Sequence, residues 1–147
     1  MTTPNKTGSE FEKRCTSLVQ KYRTNCSSLR VYWSERNWYK PDLVTELELF
    51  EFKYQQSDGS TKDKLIQALY RLEYISLRLG LPAVLVYEGD LLVDYINRDP
   101  AFNAARNQCH TIKLIPFSEL NDYLSQSVDR NNGQQERYME HTTACAV

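Results

Sequence analysis

Zinc-ligand spacing is missing from this chain. Its four cysteines, Cys15, Cys26, Cys109 and Cys145, form no C-x-x-C pair, and its two histidines, His110 and His141, both fall late. The common structural zinc sites are therefore not expected. The opening "MTTPNKTGSE" is polar and does not resemble a signal peptide, so the expectation is that the cysteines are free thiols of a reducing compartment. His110 follows Cys109 directly, and neighbours on an extended segment point to opposite faces, which argues against a nucleophile–base pair. No apolar run approaches the length of a membrane span, so the expectation is a cytoplasmic protein with no membrane partner. Charge of one sign is also lacking. The formal net charge of −1 gives no global attraction to nucleic acid, although a basic patch can sit inside a neutral total. With few glycines and prolines and no repeat or linker, the 147 residues read as one domain able to bury a core without staples.

What is present is periodicity. "GSEFEKRCTSLVQKYR" places Phe11, Cys15, Leu18, Val19 and Tyr22 at helical spacing, with Ser9 as N-cap and Glu12 completing a capping box. "SLRVYW" reads as a strand, followed by the basic, aromatic turn "SERNWYK", and "PDLVTE" and "LELFEFKY" read as a hairpin. The long helix "STKDKLIQALYRLEYISLRLG" has a face of Leu65, Leu69, Leu72, Ile75 and Leu79 and ends at Gly80. "AVLVYEGDLLVDYI" reads as two strands about a Glu-Gly-Asp turn. A shorter helix follows over 100–107, then a strand "HTIKLI" and a helix opened by Pro116. The polar tail 129–147 lacks pattern and reads as disordered, leaving a single domain over 1–128.

The chemistry concentrates in "PDLVTELELFEFK". On a strand, Glu51 and Lys53 share one face while Phe50 and Phe52 occupy the other. A hairpin brings the Asp42 carboxylate toward that of Glu51. Two such carboxylates repel unless a cation lies between them, and an oxygen-rich site of this type suits Mg²⁺ or Mn²⁺. The alternative is a surface hairpin with a cross-strand ion pair. Glu46 and Glu48 read as turn and edge charges. Trp33, Trp38 and Tyr39 read as core or dimer contacts in preference to base-stacking groups.

The "PD" at Pro41–Asp42 followed by "EFK" at 51–53 resembles the signature of the PD-(D/E)XK nuclease superfamily. The resemblance covers roughly residues 8–96, leaving 97–128 as an extension. It implies a restriction-endonuclease-like α/β fold, an αβββαβ core with a mixed central sheet flanked by helices. It implies Asp42 and Glu51 as metal ligands and Lys53 as the residue that meets the attacking water. Members commonly carry a glutamate on the first helix, within Gly-x-x-Phe-Glu, that completes the metal shell as a further ligand. Here "GSEFE" makes Glu12 the match, with Glu10 the neighbour. Some subgroups add Gln-x-x-x-Tyr on the second helix. Gln67 stands where such a glutamine would, but Arg71 occupies the tyrosine position, and a polar helix flank is the other reading.

The implied activity is a Mg²⁺-dependent endonuclease, with Mn²⁺ able to substitute, acting on double-stranded DNA as a homodimer or higher homo-oligomer. Arg36, Lys40, Lys62, Lys64 and Arg71 are the candidate phosphate contacts, against the commoner reading of solvated charge. A site-specific cutter of the restriction or homing type fits the near-neutral charge better than a Holliday junction resolvase with a broad basic face. A non-catalytic DNA-binding or assembly subunit on the same fold, and an RNA-cleaving enzyme, are the competing classes.

Overall fold

The expected first helix forms as α1 (Gly8–Gln20), where Phe11, Cys15 and Val19 recur every fourth residue and are buried. Helix α1 includes Ser9, so Ser9 lies within the first turn and is not the cap in front of it. The structure is a computed structural model describing residues 8–32, 34–56 and 61–126, the side chains of 61–63 excepted. Strands β1 (Cys26–Ser27), β2 (Val31–Tyr32), β3 (Trp38–Tyr39), β4 (Leu43–Thr45) and β5 (Leu49–Tyr54) follow α1. Then come α2 (Thr61–Leu79), β6 (Ala83–Glu88), α3 (Asp90–Arg98), α4 (Pro100–Gln108) and β7 (Ile112–Pro116). A 3₁₀ turn over Phe117–Glu119 leads into helix over 120–126.

The architecture is α/β, with a mixed five-stranded sheet in the order β1-β4-β5-β6-β7 flanked by helices. Strands β4 and β5 form the expected antiparallel hairpin, and β6 and β7 add in parallel. Alternation along β5 decides which layer each residue joins. Phe50 and Phe52 pack with Phe11, Cys15 and Val19 of α1 and with Leu120 and Leu124. Leu49 faces the other way, into Leu65, Leu69, Leu72 and Ile75 of α2 and into Leu92 and Phe102 of α3 and α4. Each such side chain taken fully from water contributes about 1.5–3 kcal/mol. Residues after 97 feed both layers, through Phe102 and Ala105 on one side and Ile115, Leu120 and Leu124 on the other.

Gly80 ends α2 with φ +68°, and the Leu81 N–H donates to the Ser76 carbonyl across it at 3.2 Å, the Schellman arrangement.

Two further sequence expectations need correction. The segment after Gly89 is helix α3, not a returning strand. Both edges of β6 are already taken by parallel partners β5 and β7, so no hairpin strand can pair beside it. Leu92 and Ile96, four apart, bury as a helical pair. Gly89 makes the exit possible: its φ is +107°, and a Cβ there would stand 2.1 Å from the Gln55 carbonyl oxygen. The second correction concerns "SLRVYW". Its strand β2 pairs only with β3, in a separate two-stranded ribbon, while the short β1 occupies the sheet position beside β4. Val31 is the apolar foot that docks this ribbon on the α2-side core.

Candidate active site

The β4–β5 register pairs Leu43 with Phe50. Continued by one residue, it sets Asp42 opposite Glu51, and residues directly opposite in an antiparallel pair share a face. Asp42 is fixed there because its Oδ2 accepts the Phe52 backbone N–H at 2.7 Å. Glu51 lies within β5 and is only 4 % exposed, on a sheet face lined mainly by apolar side chains such as Val44, Leu49, Ala83 and Leu85. Its Oε1 is 3.7 Å from Lys53 Nζ, a loose ion pair, and its Oε2 accepts a hydrogen bond from the Tyr39 hydroxyl. Lys53 keeps about a third of its side chain exposed and so opens the group to solvent.

Electrostatics follow from this burial. Glu51 is pushed up to about 7, first because burial disfavours its charge and further by Glu12, against the pull of Lys53. Asp42 is pushed up to about 6, again first by burial, while the Phe52 N–H, Lys53 and Lys40 act the other way and Glu12 adds to the rise. Two carboxyls that the register brings to one face, both pushed up toward neutral pH, with one loosely placed ammonium, are a set whose ionisation a divalent cation would favour.

The donor chemistry fits Mg²⁺ or Mn²⁺. Mg²⁺ characteristically takes one or two carboxylates and keeps several waters, so the Asp42–Glu51 pair is a sufficient protein contribution. Among the described residues, no three His, Cys, Asp or Glu side chains gather tightly enough to enclose an ion. Glu12, exposed on α1, acts on both carboxyls from a longer range.

The remaining sequence candidates divide by position. Lys40 is exposed beside Asp42, and Arg36 is exposed in the ribbon turn. Gln67, Lys64 and Arg71 are exposed on α2, and Gln67 lies across the helix from the buried Leu65 and Leu69. Glu10 is exposed in the first turn of α1. The Lys62 side chain and Trp33 lie outside the described residues. Of the core-or-dimer reading, the core half is corrected at Trp38, which is 44 % exposed and carries the Arg30 guanidinium 4.4 Å from its ring centre.

Two residues on the site's side were not legible there, Tyr39 and Tyr87, and one acid away from the site, Glu48, reads differently in the structure. Tyr39 reaches Glu51 only because the ribbon folds back, an event that local pattern does not encode. Tyr87 is paired with Lys53 by the parallel β5–β6 register, which places both on one sheet face. Glu48 is no edge charge. It is 1 % exposed, and its carboxylate takes Arg23 Nη2 at 2.7 Å, Arg23 Nε at 3.0 Å and the Tyr123 hydroxyl at 3.0 Å. Glu46 accepts the Thr24 and Asn25 backbone N–H groups at 3.1 and 3.0 Å. Both acids of the hairpin turn thus hold the exit of α1. A spaced Arg and Glu, 25 residues apart, carried no signal that they would meet.

The three thiols of the described residues, Cys15, Cys26 and Cys109, are free, and no described helix is long and apolar enough to cross a membrane. Compared with family models, curated proteins and solved structures, the chain matches none.

Proposed function

We propose that this chain is a Mg²⁺-dependent DNA endonuclease of the PD-(D/E)XK kind, hydrolysing phosphodiester bonds at specific sites and acting as a homodimer or larger homo-oligomer. The observation that carries the reading is the buried Glu51, with the half-buried Asp42 opposite it in the register and Lys53 beside it, on a largely apolar sheet face. Buried charge without function is rare at such a position, because desolvation opposes it. The order α1, β1, β4, β5, α2, β6 supports reading the core as αβββαβ, with the β2–β3 ribbon as an insertion.

Asp42 and Glu51 would hold the ion, with Glu12 adding negative potential. When bound, Mg²⁺ supplies Lewis acidity toward the phosphate and the attacking water. The protein residues do the positioning. The Phe52 N–H and the Tyr39 hydroxyl each fix one carboxylate, so neither must reorganise as charge develops. Lys53, at the open end of the group, offsets charge on the phosphorus and orients the water whose oxygen bonds to it. That water gives up a proton to solvent as its oxygen bonds to phosphorus; the bond to the leaving oxygen breaks, and the leaving oxygen takes up a proton from solvent.

The test is incubation of the purified protein with plasmid, branched DNA and RNA in Mg²⁺, beside Lys53→Ala and Asp42→Ala. The expected result is discrete plasmid fragments that both substitutions abolish. Absence of metal-dependent cleavage on all three substrates would overturn the enzyme reading. Cleavage of RNA alone would remove DNA as the substrate, and resolved junctions would move the protein to the resolvase class.

A further inference from the structure

The chain is near neutral overall, yet its cations are unevenly placed. Residues 28–40 carry Arg30, Arg36 and Lys40 against the single carboxylate of Glu35. The structure makes this segment the β2–β3 ribbon, which stands apart from the main sheet. Arg30, Tyr32, Arg36, Trp38 and Lys40 are all exposed on it. Leu29 and Tyr32 are both 45 % exposed, so the ribbon's outer surface is aromatic and basic together.

The ribbon is also continuous with the candidate site. Lys40 leads directly into Pro41–Asp42, and Tyr39 holds Glu51. At that end of the ribbon the exposed Lys40 acts electrostatically on Asp42, so the ribbon's cations run up to the candidate site. A two-stranded ribbon is one of the two protein elements that fit the major groove of duplex DNA. The Arg30–Trp38 contact decides between backbone or groove contact and base stacking. With the guanidinium seated 4.4 Å from the ring centre, one face of Trp38 is already covered. The ring then works as a shelf that holds Arg30 extended, which reduces the side-chain freedom lost when Arg30 meets a phosphate or a guanine edge.

Resting on the nuclease reading of the adjacent site, we infer that the β2–β3 ribbon is the duplex-DNA-gripping element of this protein. In this role Arg30, preset on Trp38, and Arg36 supply the contacts that place the strand over Asp42 and Glu51. The occupant is double-stranded DNA. A single strand would draw on open aromatic faces for stacking, and Arg30 occupies one face of the Trp38 ring, leaving Tyr32 as the ribbon's uncovered exposed ring among the described residues.

The experiment measures equilibrium binding of a fluorescent duplex and of the same sequence single-stranded, across a salt series, using Lys53→Ala protein so that DNA stays intact. Circular dichroism confirms that each variant is folded. The expected result is tighter binding to duplex. The Arg30→Ala, Arg36→Ala pair should lower the slope of log affinity against log salt by about two, since each phosphate contact contributes about 0.9. Lys113→Ala, on the opposite edge strand, should leave the slope unchanged. Arg30→Ala should weaken binding less in a Trp38→Leu background than alone, because the shelf has gone. A slope unchanged in the double variant, an equal effect from Lys113→Ala, no binding to duplex, or tighter single-strand binding would each overturn the ribbon assignment. Metal-dependent cleavage abolished by Lys53→Ala is scored separately on wild-type protein, so the ribbon and the catalytic site can fail independently.

Discussion

Tyr39 donates its hydroxyl to Glu51, so an aromatic of the ribbon anchors the most buried carboxylate of the candidate site. Tyr39→Phe keeps the ring and removes that donor. Glu51 then has less support for its charged form, and its carboxyl moves further up from about 7. Single-turnover cleavage should fall about tenfold at pH 7 and recover in part as pH rises, since a lost hydrogen bond to a charged group amounts to about 1.5–3 kcal/mol. A uniform loss at every pH would show that Tyr39 acts on something other than Glu51 ionisation.

Metal-free stability should depend on pH through the same carboxyls. Burial raises both, Asp42 to about 6 and Glu51 to about 7, with Glu12 adding to each and Lys53 opposing; Lys40 also opposes at Asp42. Above about pH 4 the unfolded chain releases protons that the folded state keeps. Their contribution is therefore fully present below about pH 4 and is lost as pH rises through 6 and 7. Thermal unfolding in a chelator should show Glu51→Gln more stable than the parent at pH 8, on the order of 2 kcal/mol, and level with it near pH 4. Millimolar Mg²⁺ should close that gap at pH 8.

The Arg23–Glu48 pair is fully buried, with side-chain exposures of 0 % and 1 %. Glu48→Ala strands the guanidinium and should cost about 3–5 kcal/mol in urea unfolding, whereas an apolar pair such as Arg23→Met with Glu48→Leu should recover most of that loss. Equal loss in single and double variants would mean that Tyr123 and Thr45, which also bond Glu48, dominate the network.

Gly89→Ala should be among the most disruptive single-methyl changes in the chain. The added carbon would meet backbone, the Gln55 carbonyl, at 2.1 Å and sits at φ +107°. A loss of at least about 2 kcal/mol is expected, read from the denaturation midpoint. Gly80→Ala has open space and only the φ of +68° to overcome, so it should lose less.

Legibility tracked the range of the interaction. Helices α1 and α2, the β4–β5 hairpin and the stop at Gly80 follow from periods and end signals within a dozen residues, and they were readable. Helix α3 was misread because "LLVDYI" satisfies both a strand run and an i, i+4 pair, and only the occupied edges of β6 decide between them. The Asp42–Glu51–Lys53 group was readable because it lies within one hairpin. Tyr39, Tyr87 and Arg23 join their partners through tertiary folding, and no spacing announces that.

The ribbon hangs between β1 and β4, two strands paired at one margin of the sheet, and it docks through Val31 and Tyr39 alone among its strand residues that reach the interior. Its tip over 34–37 bears on no sheet register. Length and composition there can change without disturbing the Asp42–Glu51–Lys53 group, so on the proposed function a change of target would not require a change of chemistry.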